Sequence, residues 1–153
     1  MRKFKVNKKF QALPSDAGDE FYPNGIFVFN ITKLLAFINA NQNEFQVEEL
    51  EVKALRRFPS STMNESTIKH ADLLLPIILA ELSPVQYNVI DGHHRLEKAY
   101  REGINTIFAY RVLAEQHIVF LTSTEAYTEY VQYWNSKLRM REKENALRKV
   151  SLS

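Results

Sequence analysis

The segment Asp91-Gly92-His93-His94-Arg95 gathers a carboxylate, two imidazoles and a guanidinium around one glycine. It follows the apolar run Tyr87-Asn88-Val89-Ile90 and precedes a helical pattern, so it reads as a strand handing over to a helix. The first backbone N–H groups of a helix have no intrahelical partner and lie at the positive end of its dipole, which makes such a junction an anion site. Gly92 permits unusual backbone angles and the close approach of a phosphate. Arg95 offers a planar fork for phosphate oxygens, and an imidazole can donate or shuttle a proton near neutral pH. Gly92, His93, His94 and Arg95 are therefore the candidate phosphate-binding residues, and Asp91 and His93 the candidate catalytic ones. Asp91 is the odd member: a carboxylate repels an anion unless it caps the helix, holds a bridging metal, or acts as a base toward an attacking hydroxyl. A two-histidine metal site is not expected, because adjacent helical residues point about 100° apart. Each residue also has a purely structural use, as cap, turn residue, solvated cation or satisfied ring. It is their combination at one junction that points to function.

The elements that must position this turn are legible from periodicity and punctuation. Pro76 opens an apolar strand Ile77-Ile78-Leu79-Ala80, and Ser83-Pro84-Val85-Gln86 turns it back into residues 87–90, so the two form a hairpin ending in Asp91-Gly92. A helix is expected from His93 to Glu102 with Leu96, Ala99 and Tyr100 inward and Gly103 as its left-handed terminator, followed by a strand over 104–112. Upstream, Gly25 to Phe29 reads as a strand and Asn30 as the cap of a helix carrying Ile31, Leu34, Leu35 and Ile38. Val47 to Leu55 alternates as a half-buried strand, and after the polar stretch from Pro59 to Met63, Asn64 caps a short helix running to Leu73. Near the end, Thr122 and Glu125 have capping-box spacing before a long helix whose stripe is Tyr127, Tyr130, Val131, Trp134 and Leu138. The expected fold is α/β in the α+β sense, a small mixed sheet with surrounding helices and a long C-terminal helix. It divides into an arm at 1–24, a domain at 25–136 and a basic helical tail at 137–153.

With 153 residues, 45% of them hydrophobic and 25% charged, the chain has the balance of one globular domain. The absence of cysteine excludes disulfides, thiolate catalysis and cysteine-ligated zinc, and fits a reducing compartment. No apolar run reaches the roughly 20 residues that span a bilayer, and the start has no signal-like core, so no membrane association and a cytoplasmic address are expected. The net charge of +2 hides an asymmetry: residues 1–9 hold five Lys/Arg and no acid, and residues 137–149 hold six against Glu142 and Glu144. Nine basic and sixteen acidic residues remain between them. The basic ends read as solubilising termini or as contacts to an anionic surface or nucleic acid.

The run Pro76-Ile77-Ile78-Leu79, a turn, Tyr87 through Arg95, then Ala99, Gly103 and Ile107-Phe108-Ala109-Tyr110 resembles the core of the ParB/sulfiredoxin-like superfamily over residues 66 to 113. In that superfamily the equivalent turn binds nucleotide phosphates. The wording Asp-Gly-His-His-Arg is similar to that of free serine kinases, which implies an ATP- or ADP-dependent phosphotransferase, with Mg²⁺, acting on a small hydroxylated substrate. The departures count as well. Sulfiredoxins carry their catalytic cysteine where this chain has His93, and partition proteins carry Gly-Glu-Arg-Arg at the turn and a DNA-binding domain beyond it, for which this chain is too short. The kinases use an additional upstream glutamate, for which Glu48, Glu49 and Glu51 are the candidates by position. Two other readings stay open: a non-catalytic module binding a nucleotide or nucleic-acid phosphate, and a ParB-like nuclease.

Overall fold

A computed structural model describes residues 2–56 and 63–152; the polar stretch from Pro59 to Thr62 and the two chain ends lie outside the described residues. The fold is mixed α+β. Two compact units are assembled from alternating segments: residues 1–34, 81–87 and 113–153 form one, and residues 35–80 and 88–112 the other. No helix among the described residues is long and apolar enough to cross a membrane.

In the first unit, β1 (Phe21–Asn24) pairs antiparallel with β2 (Phe27–Asn30) around Gly25, whose φ is 63°. Asn30 then caps α1 (Ile31–Ala40), its side-chain oxygen accepting the Lys33 N–H at 3.0 Å. The long helix α6 (Thr124–Leu152) buries the expected stripe Tyr127, Tyr130, Val131, Trp134 and Leu138. Its cap is Ser123 and not Thr122: the Ser123 hydroxyl accepts the Ala126 N–H at 3.0 Å, so the helix starts one residue later than the capping-box spacing suggested.

A helical turn absent from the sequence reading, α5 (Ala114–His117), places His117 in the core with no exposed surface. Its Nε2 donates to the Glu81 carbonyl at 2.6 Å, and the Tyr130 hydroxyl donates to the same carbonyl at 3.1 Å. The Glu81 carboxylate, also buried, accepts the N–H groups of Val85 (3.1 Å) and Ala114 (3.2 Å), which lets an acid sit inside with no ion pair among the described residues.

The second unit is built on a four-stranded sheet of order β3-β6-β4-β5, in which β3 (Val47–Glu51) runs antiparallel to β6 (Thr106–Val112), and β4 (Ile77–Ser83) parallel to it. β5 (Gln86–Asp91) follows β4 through the two-residue turn Pro84-Val85, as a hairpin requires. The strand expected over 47–55 ends at Glu51. There the Val52 N–H bonds the Asn105 carbonyl at 2.9 Å and the chain turns into α2 (Val52–Leu55), a tertiary contact overriding the alternation. Asn64 caps α3 (Glu65–His70) as expected, though the helix stops before Leu73. Helix α4 (His93–Arg101) ends in a Schellman motif: the Ile104 N–H bonds Ala99 O at 2.9 Å and the Gly103 N–H bonds Tyr100 O at 3.2 Å, with Gly103 at φ 71°.

Burial pushes the His117 imidazole down to about 4. The folded state therefore resists protonation that the unfolded chain accepts near pH 6.5, so stability is full above that pH and declines as pH falls toward 4. Between those limits the loss is about 3 kcal/mol. Urea unfolding across pH 4 to 7.5 checks this: His117→Phe is expected to flatten the slope near pH 5.5 by about one proton, or about 1.4 kcal/mol per pH unit. An unchanged slope means that His117 does not carry the effect.

Candidate functional site

Hairpin, turn and helix follow one another at Asp91 to Arg95, as the sequence indicated. Gly92 is the α4 cap and adopts φ 99°, ψ 22°, a left-handed conformation that side chains rarely take. A second constraint falls on the same atom. A Cβ there would lie 2.4 Å from Ile77 Cγ2 and 2.8 Å from Ile77 Cβ, with the Ile77 Cα at 3.2 Å. The turn is pressed against the first residue of β4, and only glycine satisfies both the backbone angle and the contact.

Arg95 is committed to the protein. One terminal nitrogen donates to the carbonyls of Leu75 (3.1 Å) and Pro76 (2.7 Å), and the other to Asp91 Oδ2 at 3.0 Å. The fork expected to grip phosphate instead ties the start of β4 to the turn. The same pair resolves the anomaly of Asp91, because a carboxylate neutralised by Arg95 does not repel an anion at the helix end. His93 and His94 are half-buried in the first turn. Burial pushes the His93 imidazole below its ordinary value and His94 adds to this, while Asp91 works against it, so His93 is held toward its neutral form. Neutral imidazole donates through one nitrogen and accepts through the other.

Farther along α4, the inward residues include one that sequence reasoning missed. Leu96 and Ala99 are buried as expected, but Tyr100 is exposed and its place is taken by Glu97, 2% exposed. Arg56 grips Glu97 with both arms of its guanidinium, at 2.8 and 3.2 Å, and Arg101 adds a third contact at 3.1 Å. Arg56 also lies over the Tyr100 ring, 3.8 Å from its centre, which explains the outward tyrosine. A buried carboxylate with two guanidinium partners leaves only a weak local trace, the Glu97/Arg101 spacing of four; Arg56 lies 41 positions away. Lys98 donates to the Ala71 carbonyl at 2.7 Å and Arg101 pairs with Glu65, so three α4 cations fasten the helix to residues 65–76.

The upstream glutamates are not brought to the turn. The register sets Glu48 and Ile77 on either side of Ala109, so Glu48 stands level with Ile77 but roughly 10 Å away across two strand spacings. Its carboxylate is taken by Arg111 at 2.7 Å. Glu49 lines a cavity of about 200 Å³ with Leu73, Leu74, Ala99 and Phe108, and Glu51 is exposed at the end of β3. Among the described residues no three His, Asp or Glu side chains converge to hold a metal ion. No family model, curated protein or solved structure matches this chain.

Gly92→Ala tests the constraint directly. Both the strained angle and the overlap with Ile77 act against it, so it is expected to cost about 2 to 4 kcal/mol in urea unfolding, well above an ordinary surface change. A cost below about 0.5 kcal/mol would show that the turn relaxes away from β4.

Proposed function

We propose that this chain is a nucleotide-binding domain of the ParB/sulfiredoxin-like kind, holding the phosphates at the amino end of α4. One observation carries the reading: a left-handed Gly92, with no room for a side chain, delivers a nine-residue helix whose first-turn N–H groups can meet an anion. The Asp91–Arg95 pair supports it by removing the local negative charge, and His93 and His94 supply further donors beside the backbone. The order of hairpin, glycine turn, helix and strand is the order on which the family resemblance rests. In this reading Arg95 acts chiefly by fixing the turn and His94 by contacting the ligand.

The burial that shifts His93 toward its neutral form favours a second step on the same site, phosphoryl transfer from ATP or ADP to a small hydroxylated substrate. A neutral imidazole can take the proton of an acceptor hydroxyl as the new P–O bond forms and the terminal phosphoanhydride bond breaks, ADP leaving from ATP or AMP from ADP. In this reading Asp91, with one oxygen held by Arg95, orients that hydroxyl through the other. Mg²⁺ suits this site as an ion carried by the nucleotide phosphates, because Mg²⁺ is commonly held by one or two carboxylates plus substrate oxygens and Asp91 is the turn's sole carboxylate.

Thermal unfolding with ADP, ATP or CTP, each with and without Mg²⁺, tests the binding step. A ligand at 100 times its Kd adds about 2.7 kcal/mol, a rise of roughly 5 °C or more for a chain of this size. His94→Ala is expected to reduce that shift, and His93→Ala to retain most of it while abolishing transfer to free serine or a similar small alcohol. No shift with any nucleotide overturns the binding reading; a shift without transfer to any such alcohol overturns the second step alone.

A further inference from the structure

The two basic ends of the sequence, more than 125 residues apart, meet on one helix. The N-terminal arm lies along α6 and is held mainly through its backbone. The Asn135 side chain accepts the Phe4 N–H at 2.9 Å and donates to the Phe4 carbonyl at 2.8 Å, Trp134 Nε1 donates to the Arg2 carbonyl at 3.0 Å, and the Asn7 N–H bonds the Tyr127 hydroxyl at 2.8 Å. Phe4 packs on Trp134 and Phe10 stacks on Tyr127 with ring centres 4.0 Å apart. Phe10 thus sits at the first turn of α6 and Arg2 two turns on, so the arm runs antiparallel to the helix and points toward its basic tail.

This docking turns the arm's side chains outward in a definite way. Lys3 and Lys5 flank the anchored Phe4 and are exposed, and Lys8 and Lys9 occupy an exposed turn closed by the bond from Phe10 N–H to Asn7 O. The last buried residue of α6 is Leu138; beyond it nearly every position is exposed. The six cations from Lys137 to Lys149 fall along roughly 18 Å of helix axis. At 100° per residue, Lys137, Arg141 and Arg148 share one flank, and Arg139 and Lys143 lie roughly opposite, with the exposed Met140 and Leu147 between the two flanks and Glu144 at the edge of the first.

We infer that the arm and the tail of α6 form one composite surface for duplex DNA, with the tail helix in the major groove and the arm's lysines on adjoining phosphates. The groove is about 12 Å wide and accepts a helix of about 10 to 12 Å across. Its two phosphate walls meet both basic flanks at once. The groove floor, with its thymine methyl groups, meets Met140 and Leu147. A lipid surface would meet one face only, and two apolar side chains on that stripe give it little area to bury. Double-stranded RNA, whose major groove is narrow and deep, does not admit the helix.

Fluorescence anisotropy with labelled 20-base-pair DNA, titrated from 50 to 300 mM salt, reads the proposal out. Binding is expected with a steep negative salt dependence, and the charge reversals Lys3→Glu/Lys5→Glu and Arg139→Glu/Arg141→Glu are each expected to weaken it at least tenfold and to reduce the log–log salt slope by about 2. Lys3, Lys5 and Arg139 are exposed and Arg141 is half-buried beyond the last core residue of α6, so thermal melts of the variants are expected to stay close to the parent. Binding lost with the tail pair but untouched by the arm pair overturns the composite surface. No DNA binding at 50 mM salt, equal binding to duplex RNA, or binding to phosphatidylserine vesicles in place of DNA overturns the assignment of duplex DNA.

Discussion

The contact between Gly92 and Ile77 sets the geometry of the second unit. A strand must end, reverse into a helix and do so against the opening residue of its neighbour, and the space left there excludes a single methyl group. Because packed interiors transmit such constraints without slack, the direction of α4 follows from it. Arg95, Lys98 and Arg101 then fasten the helix to the preceding segment, two of them through backbone carbonyls at the end of α3 and the start of β4.

Charge burial follows the same economy in both units. Glu97 is tolerated inside because Arg56 and Arg101 surround it, and a lone carboxylate at that depth would be strongly destabilising. Glu81 reaches the same end with two backbone donors. His117 gives up its charge instead, and its second ring nitrogen has no hydrogen-bond partner among the described residues. At the turn, Asp91 and Arg95 cancel each other, which leaves the helix end itself as the local positive pole.

Much of the architecture was legible because its signals are local. Asn30, Asn64 and Gly103 do in the structure what such residues do at helix ends generally, since a cap depends on atoms three or four positions away. The hairpin between Ile77 and Asp91 and the stripe of α6 were equally readable from period and turn chemistry. Local patterns fail where a distant partner intervenes. The strand at Val47 stops because Asn105 captures the Val52 N–H, and Tyr100 faces out because Arg56 occupies its ring while Glu97 turns in.

By itself, the sequence determined the turn at Asp91 to Arg95, its place between strand and helix, the need for glycine at its centre, and the uneven charge of the two ends. Residue type and spacing suffice for these, because they depend on bonds within one helical turn or one hairpin. Only the tertiary structure decided what the side chains are used for. It committed Arg95 to carbonyls twenty residues away, gave Glu48 to Arg111, buried Glu97 and His117, and laid the N-terminal arm on α6. Each of those outcomes is a competition between a solvated group and a partner far along the chain, and the winner is set by distance in space, which no local pattern encodes.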